Sequence, residues 1–139
     1  MKKVVMVVPS FSAKGGISSV VNGYRGSELE KKYKIKYIES YCDGSKAKKI
    51  CKAIEAYFLF FKEMTINKPN LVHIHSSFGG SFYRKLPFVY IANIFNVPVI
   101  NHIHGSEIAN FYINASNKKK RLVEDCFDRC KYLVVLSEE

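Results

Sequence analysis

Val4-Val5-Met6-Val7-Val8-Pro9-Ser10-Phe11-Ser12-Ala13-Lys14-Gly15-Gly16-Ile17-Ser18-Ser19 is the stretch that decides the architecture. Its first five residues are all apolar, four of them valine, with no polar alternation. A strand of this kind must be covered on both faces, as in a parallel sheet sandwiched by helices. A serine-rich turn closed by two glycines then leads into a stretch of helical length, Ile17–Lys31. Strand, glycine turn and helix together form the opening unit of an α/β fold.

The unit recurs along the chain. Leu71–Ile74, Pro98–Ile100 and Tyr132–Leu136 are further short apolar runs, while Ile35–Tyr41 is mixed and belongs nearer an edge. Helical segments are predicted over Ile17–Lys31, Lys46–Thr65, Ser81–Phe95 and Asn117–Arg129. In Lys46–Thr65, the residues Ala47, Ile50, Cys51, Ile54, Tyr57, Phe58 and Phe61 follow helical spacing and are expected to form its buried face. The alternation predicts a doubly wound, Rossmann-like parallel sheet of about five strands with helices on both faces. With right-handed crossovers the simplest strand order is 2-1-3-4-5, which opens a crevice between the first and third strands at their carboxyl ends.

A length of 139 residues suits one domain, residues 1–139, with no internal repeat or linker. Hydrophobic residues make up 47% and charged residues 24%, which excludes a disordered chain. No apolar run approaches the ~20 residues that cross a bilayer, and Met1-Lys2-Lys3 runs straight into the first strand without a signal-peptide core. A soluble, cytoplasmic protein is expected. Cys42, Cys51, Cys126 and Cys130 form no C-x-x-C pair and read as free thiols.

Lys and Arg number 22 against 12 Asp and Glu, a net charge of +10 that calls for an anionic partner. Residues 31–52 carry eight lysines against Glu39 and Asp43, and Lys118-Lys119-Lys120-Arg121 is a second cluster. Neither accompanies a nucleic-acid reading motif, so no nucleic acid is expected. A solvated face is the plain reading and a rim for anionic lipid headgroups the sharper one.

Gly15-Gly16 at the mouth of a helix lets an anion approach the backbone, with Lys14 adding charge. The turn is neither a Walker A loop nor a G-x-G-x-x-G fingerprint, and Glu39, placed where a ribose-binding acid would sit, lacks that context. All four histidines lie in two identical tripeptides, His73-Ile74-His75 and His102-Ile103-His104. Period-two alternation puts each pair on one sheet face, and neighbouring strands would bring the pairs together. That approach raises a zinc or iron site, as in a histidine-rich metal hydrolase, but with only Glu107 nearby as a further ligand no metal is expected. His73 and His102 read as hydrogen-bonded core residues, and His75 and His104 as groups at the strand–loop junction that face a ligand.

The glycine pair, Asn70-Leu71-Val72-His73-Ile74-His75-Ser76, Pro98-Val99-Ile100-Asn101-His102-Ile103-His104-Gly105-Ser106-Glu107 and Tyr132-Leu133-Val134-Val135-Leu136-Ser137-Glu138 occur in this order. Together they resemble the amino-terminal half of the GT-B fold, in the retaining family 4 type of glycosyltransferase used in bacterial polysaccharide and capsule assembly. The resemblance spans essentially the whole chain. It implies an acceptor-side domain of an enzyme that moves a sugar from a nucleotide-sugar donor to a glycan or lipid-linked acceptor, at the inner face of the cell membrane and without a metal. It further implies that Gly15 and Gly16 meet the donor phosphates and that His104 is the catalytic histidine. Gly105, Ser106 and Glu107 would form its loop, with His75, Ser76 and Lys14 on the acceptor side. The carboxyl-terminal nucleotide-sugar domain is absent from residues 1–139, so these residues alone are expected to transfer no sugar. Ser137-Glu138-Glu139 reads as a helix start, which predicts a longer parent chain. The competing reading is a flavodoxin-like module that binds phosphate or nucleotide and catalyses nothing.

Overall fold

A computed structural model describes residues 1–136. The helix start expected at Ser137-Glu138-Glu139 lies outside the described residues. In chain order the elements are β1 (Lys3–Pro9), α1 (Gly16–Asn22), α2 (Glu28–Lys32), β2 (Lys34–Tyr41), α3 (Lys46–Lys62), β3 (Leu71–Ser76), α4 (Gly80–Ile94), β4 (Val99–Ile103), α5 (Ile108–Ile113), α6 (Asn117–Asp128) and β5 (Tyr132–Val134). The five strands form one all-parallel sheet in the order β2-β1-β3-β4-β5. The fold class and strand order are those expected from the alternation of runs.

Register fixes which side chains share a face. Met6 lies opposite Tyr37 and His73, His73 opposite Ile100, and His75 opposite His102. These residues share one face with Val8. The opposite face carries Val5, Val7, Ile38, Val72, Ile74 and Val99, which pack with Phe60, Phe88, Val89 and Val123 into the larger core. That core holds α3, α4 and α6. The smaller core, Met6, Val8 and Val21 with Phe11, Ile17 and Tyr24 against it, holds α1 over the β1–β2 side of the other face. Helices therefore cover both faces, unequally.

Local chemistry sets the helix ends. Ser45 and Ser116 are N-caps whose hydroxyls accept from the backbone N–H of Lys48 and Lys119, at 3.3 and 3.4 Å. The single helix expected over Ile17–Lys31 is instead two short ones, because Gly23 and Gly26 interrupt it and Gly26 takes φ 72°. After α3 the chain continues as a π-helical turn, Glu63–Asn67, ended by Lys68 in the left-handed region. The short α5 was not anticipated, since Ile108–Ile113 has too few turns for a period to show.

The packing face of α3 corrects the expected one. Ala53, Ala56 and Phe60 are buried, whereas Ile50, Ile54, Phe58 and Phe61 are exposed, Phe58 by 75%. Apolar residues occur almost all round this helix, so periodicity alone does not select a side. The two alanines let α3 lie close to the sheet, and Phe60 fills the space beside Phe88 with edge-on rings 5.0 Å apart.

Candidate functional site

At the carboxyl ends of β1 and β3, where strand order reverses, a cavity of about 280 Å³ opens between the turn after β1 and the start of α4. One wall is Lys14, Gly15, Gly16 and Ser18, and the other is Ser77, Ser81, Arg84 and Lys85, with Tyr41 and His75 between them. The turn is pinned from several sides. Ser18 Oγ donates to Ser10 O at 3.3 Å, Asn22 Nδ2 to Phe11 O at 3.0 Å, and the Lys14 N–H to Asp43 Oδ2 at 2.9 Å.

Gly15 sits at φ 142°, a conformation that side chains rarely adopt, while Gly16 has ordinary geometry and a Cβ there would meet nothing within 4 Å. The two glycines therefore predict different outcomes. Gly15→Ala should destabilise the fold by about 1–3 kcal/mol, read as a lowered thermal midpoint. Gly16→Ala should leave that midpoint unchanged, so any loss of anion binding in Gly16→Ala reports close approach of the ligand to the backbone.

The cavity is lined by three cations and no carboxylate. Lys85 is 5% exposed and its Nζ donates to Ser40 Oγ, a neutral partner. Burial, reinforced by the adjacent Arg84 charge, lowers its pKa to about 7. The Arg84 guanidinium stacks over the Tyr41 ring, 4.7 Å from its centroid, and its Nε is buried without a hydrogen-bond partner. Such a pair, held without a counter-charge, has the chemistry to receive an anion.

Comparison with protein-family models and with curated proteins finds no match. The residues must speak for themselves.

Of the residues singled out in the sequence, Lys14, Gly15, Gly16 and His75 come together in this cleft. Ser76 does not. Alternation turns its side chain to the opposite face, where Oγ donates to Asn101 Oδ1 at 2.6 Å, and the cleft is lined by the next residue, Ser77. His104 is 6% exposed and does not line the cleft, but its Nε2 lies 2.9 Å from Nδ1 of His75, which is fully buried. The segment is held to β3 by the His104 N–H, which donates to Ser76 O at 2.8 Å. Gly105 turns the chain at φ 114°, and Gly105, Ser106 and Glu107 are exposed beyond it. The expectation of His73 and His102 as hydrogen-bonded core residues is corrected: both are half-buried, and the bonded pair is His75 with His104.

The four imidazoles form one cluster. Ring centroids are 4.4 Å apart for His73 and His75, 5.0 Å for His75 and His102, and 4.2 Å for His102 and His104. Burial lowers every one of their pKa values, and their mutual repulsion adds to this for three of them, taking His73 and His104 to about 4. The shifts all favour the neutral imidazole. A histidine in that state is a hydrogen-bonding group rather than a strong base.

Sequence reading missed Arg84, Lys85, Tyr41, Ser77 and Ser81. A signal for Lys85 was present: it lies three residues after Phe82 and four before Val89, on the stripe of α4 that faces the sheet.

Proposed function

We propose that this chain is the acceptor-side, amino-terminal domain of a retaining, family 4 type GT-B glycosyltransferase, acting on a nucleotide-sugar donor and a glycan or lipid-linked acceptor. The observation that carries the reading is the carboxylate-free cationic cleft at the switch point. Departure of a nucleoside diphosphate builds negative charge on its phosphate oxygens. Lys85, Arg84 and the backbone at Gly15–Gly16 are fixed donors for that charge and need little reorganisation, and exposed Lys14 adds charge at the rim. Neutral His104, held by His75, would hydrogen-bond the transferred sugar or its leaving oxygen once that loop faces a donor.

Titration of the purified chain with uridine diphosphate or pyrophosphate, followed by calorimetry, tests the cleft. Saturable one-to-one binding that Arg84→Met abolishes supports the reading; binding unaffected by Arg84→Met, or none at all, overturns it. Binding of the diphosphate without turnover by the natural gene product would move the assignment to a non-catalytic phosphate-binding module. What favours that second reading is the burial of His104 away from the cleft.

The outward face of α3 supports a peripheral contact with an anionic membrane. Ile50, Ile54, Phe58 and Phe61 are exposed on a helix that also carries Lys46, Lys48, Lys49, Lys52 and Lys62. Among the described residues no helix is long and apolar enough to cross a membrane. Full burial of one phenylalanine contributes about 1.5–3 kcal/mol. Phe58→Glu should therefore weaken binding to phosphatidylglycerol vesicles at least roughly tenfold in a sedimentation assay, with an unchanged thermal midpoint.

A further inference from the structure

We propose that His73, His75 and His102 form a binding site for a divalent transition-metal ion, Zn²⁺ above all, on the sheet face behind the anion cleft. Two histidines at i and i+2 on β3 project from one face, and His102 of β4 is the register partner of His75. The parallel ladder thus sets three imidazoles in a triangle. One ring nitrogen from each lies within 4.8 Å of the others. In a tetrahedral zinc site with bonds of 2.0–2.1 Å the nitrogens stand about 3.3 Å apart. The His73 and His102 rings stand parallel, 3° apart in plane with centroids 5.7 Å apart, so closing the site around an ion takes a rotation of these two rings that turns their nitrogens toward His75.

A second, independent observation points the same way. Nε2 of His75, fully buried, and Nε2 of His73 have no hydrogen-bond partner. Buried polar atoms are rarely left without one. His75 contacts His104 through its other nitrogen, Nδ1. If that Nδ1–H donates to His104 Nε2, the Nε2 lone pair of His75 is left directed at nothing. A metal ion is a partner that such a lone pair can take, and the hydrogen bond to His104 is the kind of supporting contact that fixes tautomer and ring plane in metal-bound histidines. Three neutral nitrogen donors are an established zinc set, and the partial exposure of His73 and His102 leaves a coordination position for water. The sequence lacks a carboxylate or cysteine at ligand spacing, which is why it predicts no metal. The folded register supplies the third ligand instead. This inference stands apart from the transferase reading, since it needs neither a donor nor an acceptor.

The test uses untagged chain, stripped with chelator and titrated with Zn²⁺ by calorimetry and with Co²⁺ by visible spectroscopy. One equivalent should bind, with the d–d bands of nitrogen-ligated cobalt and no thiolate charge-transfer band. His102→Ala should lower affinity by more than the roughly 10–100-fold that losing a supporting contact costs, while circular dichroism stays unchanged. Should that variant fail to fold, the imidazole proton resonances of the wild-type chain decide: those of His73, His75 and His102 must shift together on adding Zn²⁺. The proposal is overturned by no saturable binding, by a thiolate band that places the ion on Cys42 or Cys51, by full affinity in folded His102→Ala, or by unmoved imidazole resonances.

Discussion

Lys85→Met should make the protein more stable and, if the cleft binds a diphosphate as proposed, weaken that binding. Lowering a lysine pKa from 10.5 to about 7 means that keeping the ammonium charged in the fold costs roughly 5 kcal/mol at pH values below 7. Methionine has nearly the same shape and carries no such cost. Ser40 Oγ also keeps its bond to Val8 O, 3.3 Å away, so no buried group is orphaned. At pH 6 the thermal midpoint of Lys85→Met should exceed that of the wild type. The sign of the pH dependence follows from linkage. Between pH 7 and 10.5 the unfolded lysine binds more protons than the folded one, so wild-type stability rises with pH across that window. In Lys85→Met this rise should be missing, and the two curves should converge near pH 10. Anion affinity runs the other way. The anion favours the charged lysine, so diphosphate binding should be strongest below pH 7, fall as pH rises through 7, and drop at least about 100-fold in Lys85→Met. A pH-independent affinity would remove Lys85 from the site.

Phe88→Ala carries the largest expected loss of stability. Phe88 is fully buried on α4, its ring 4.9 Å from Tyr57 and 5.0 Å from Phe60. It joins α3 and α4 over the centre of the sheet, and α3 rests there on alanines that cannot expand to refill the space. Truncation of a buried phenylalanine costs about 3–5 kcal/mol, a large part of the 5–15 kcal/mol that holds a typical domain. Denaturant melts should show a midpoint shift of that size with an unchanged slope. A loss under about 1 kcal/mol would mean that the core collapses around the gap.

The strand order was legible in the sequence because β1 is a continuous apolar run, β3 and β4 each open on apolar residues, and every crossover has one hand. The side of α3 that packs was not. Residues 53–61 are almost all apolar, so the choice between Phe58 and Phe60 was made by the fit of α3 against β2, which only tertiary contact decides. The cleft was half legible. Gly15 and Gly16 announce a tight backbone turn, but Arg84 and Lys85 sit inside an apolar helix where cations are taken for surface residues. The histidine cluster shows the same divide. Alternation gives the shared face of each pair and the strand order brings the pairs side by side; the register that sets His75 opposite His102 is what the sequence does not supply. Ser76 shows the limit of motif reading, since one residue along a strand reverses the direction of a side chain.

The placement of β1 between β2 and β3 has a consequence for how the chain folds. Its neighbours are β2, about thirty residues away, and β3, whose Leu71 pairs with Val4 across 67 positions. During synthesis β1, α1 and β2 can meet early, while the other edge of β1 waits until β3 has left the ribosome. The closure entropy of that long loop is met before any of its contacts form, a delay that slows folding of parallel topologies. The three exposed residues of β5, joined to β4 alone, come last in this order. In native-state hydrogen exchange they should open first, well below the free energy that protects β1.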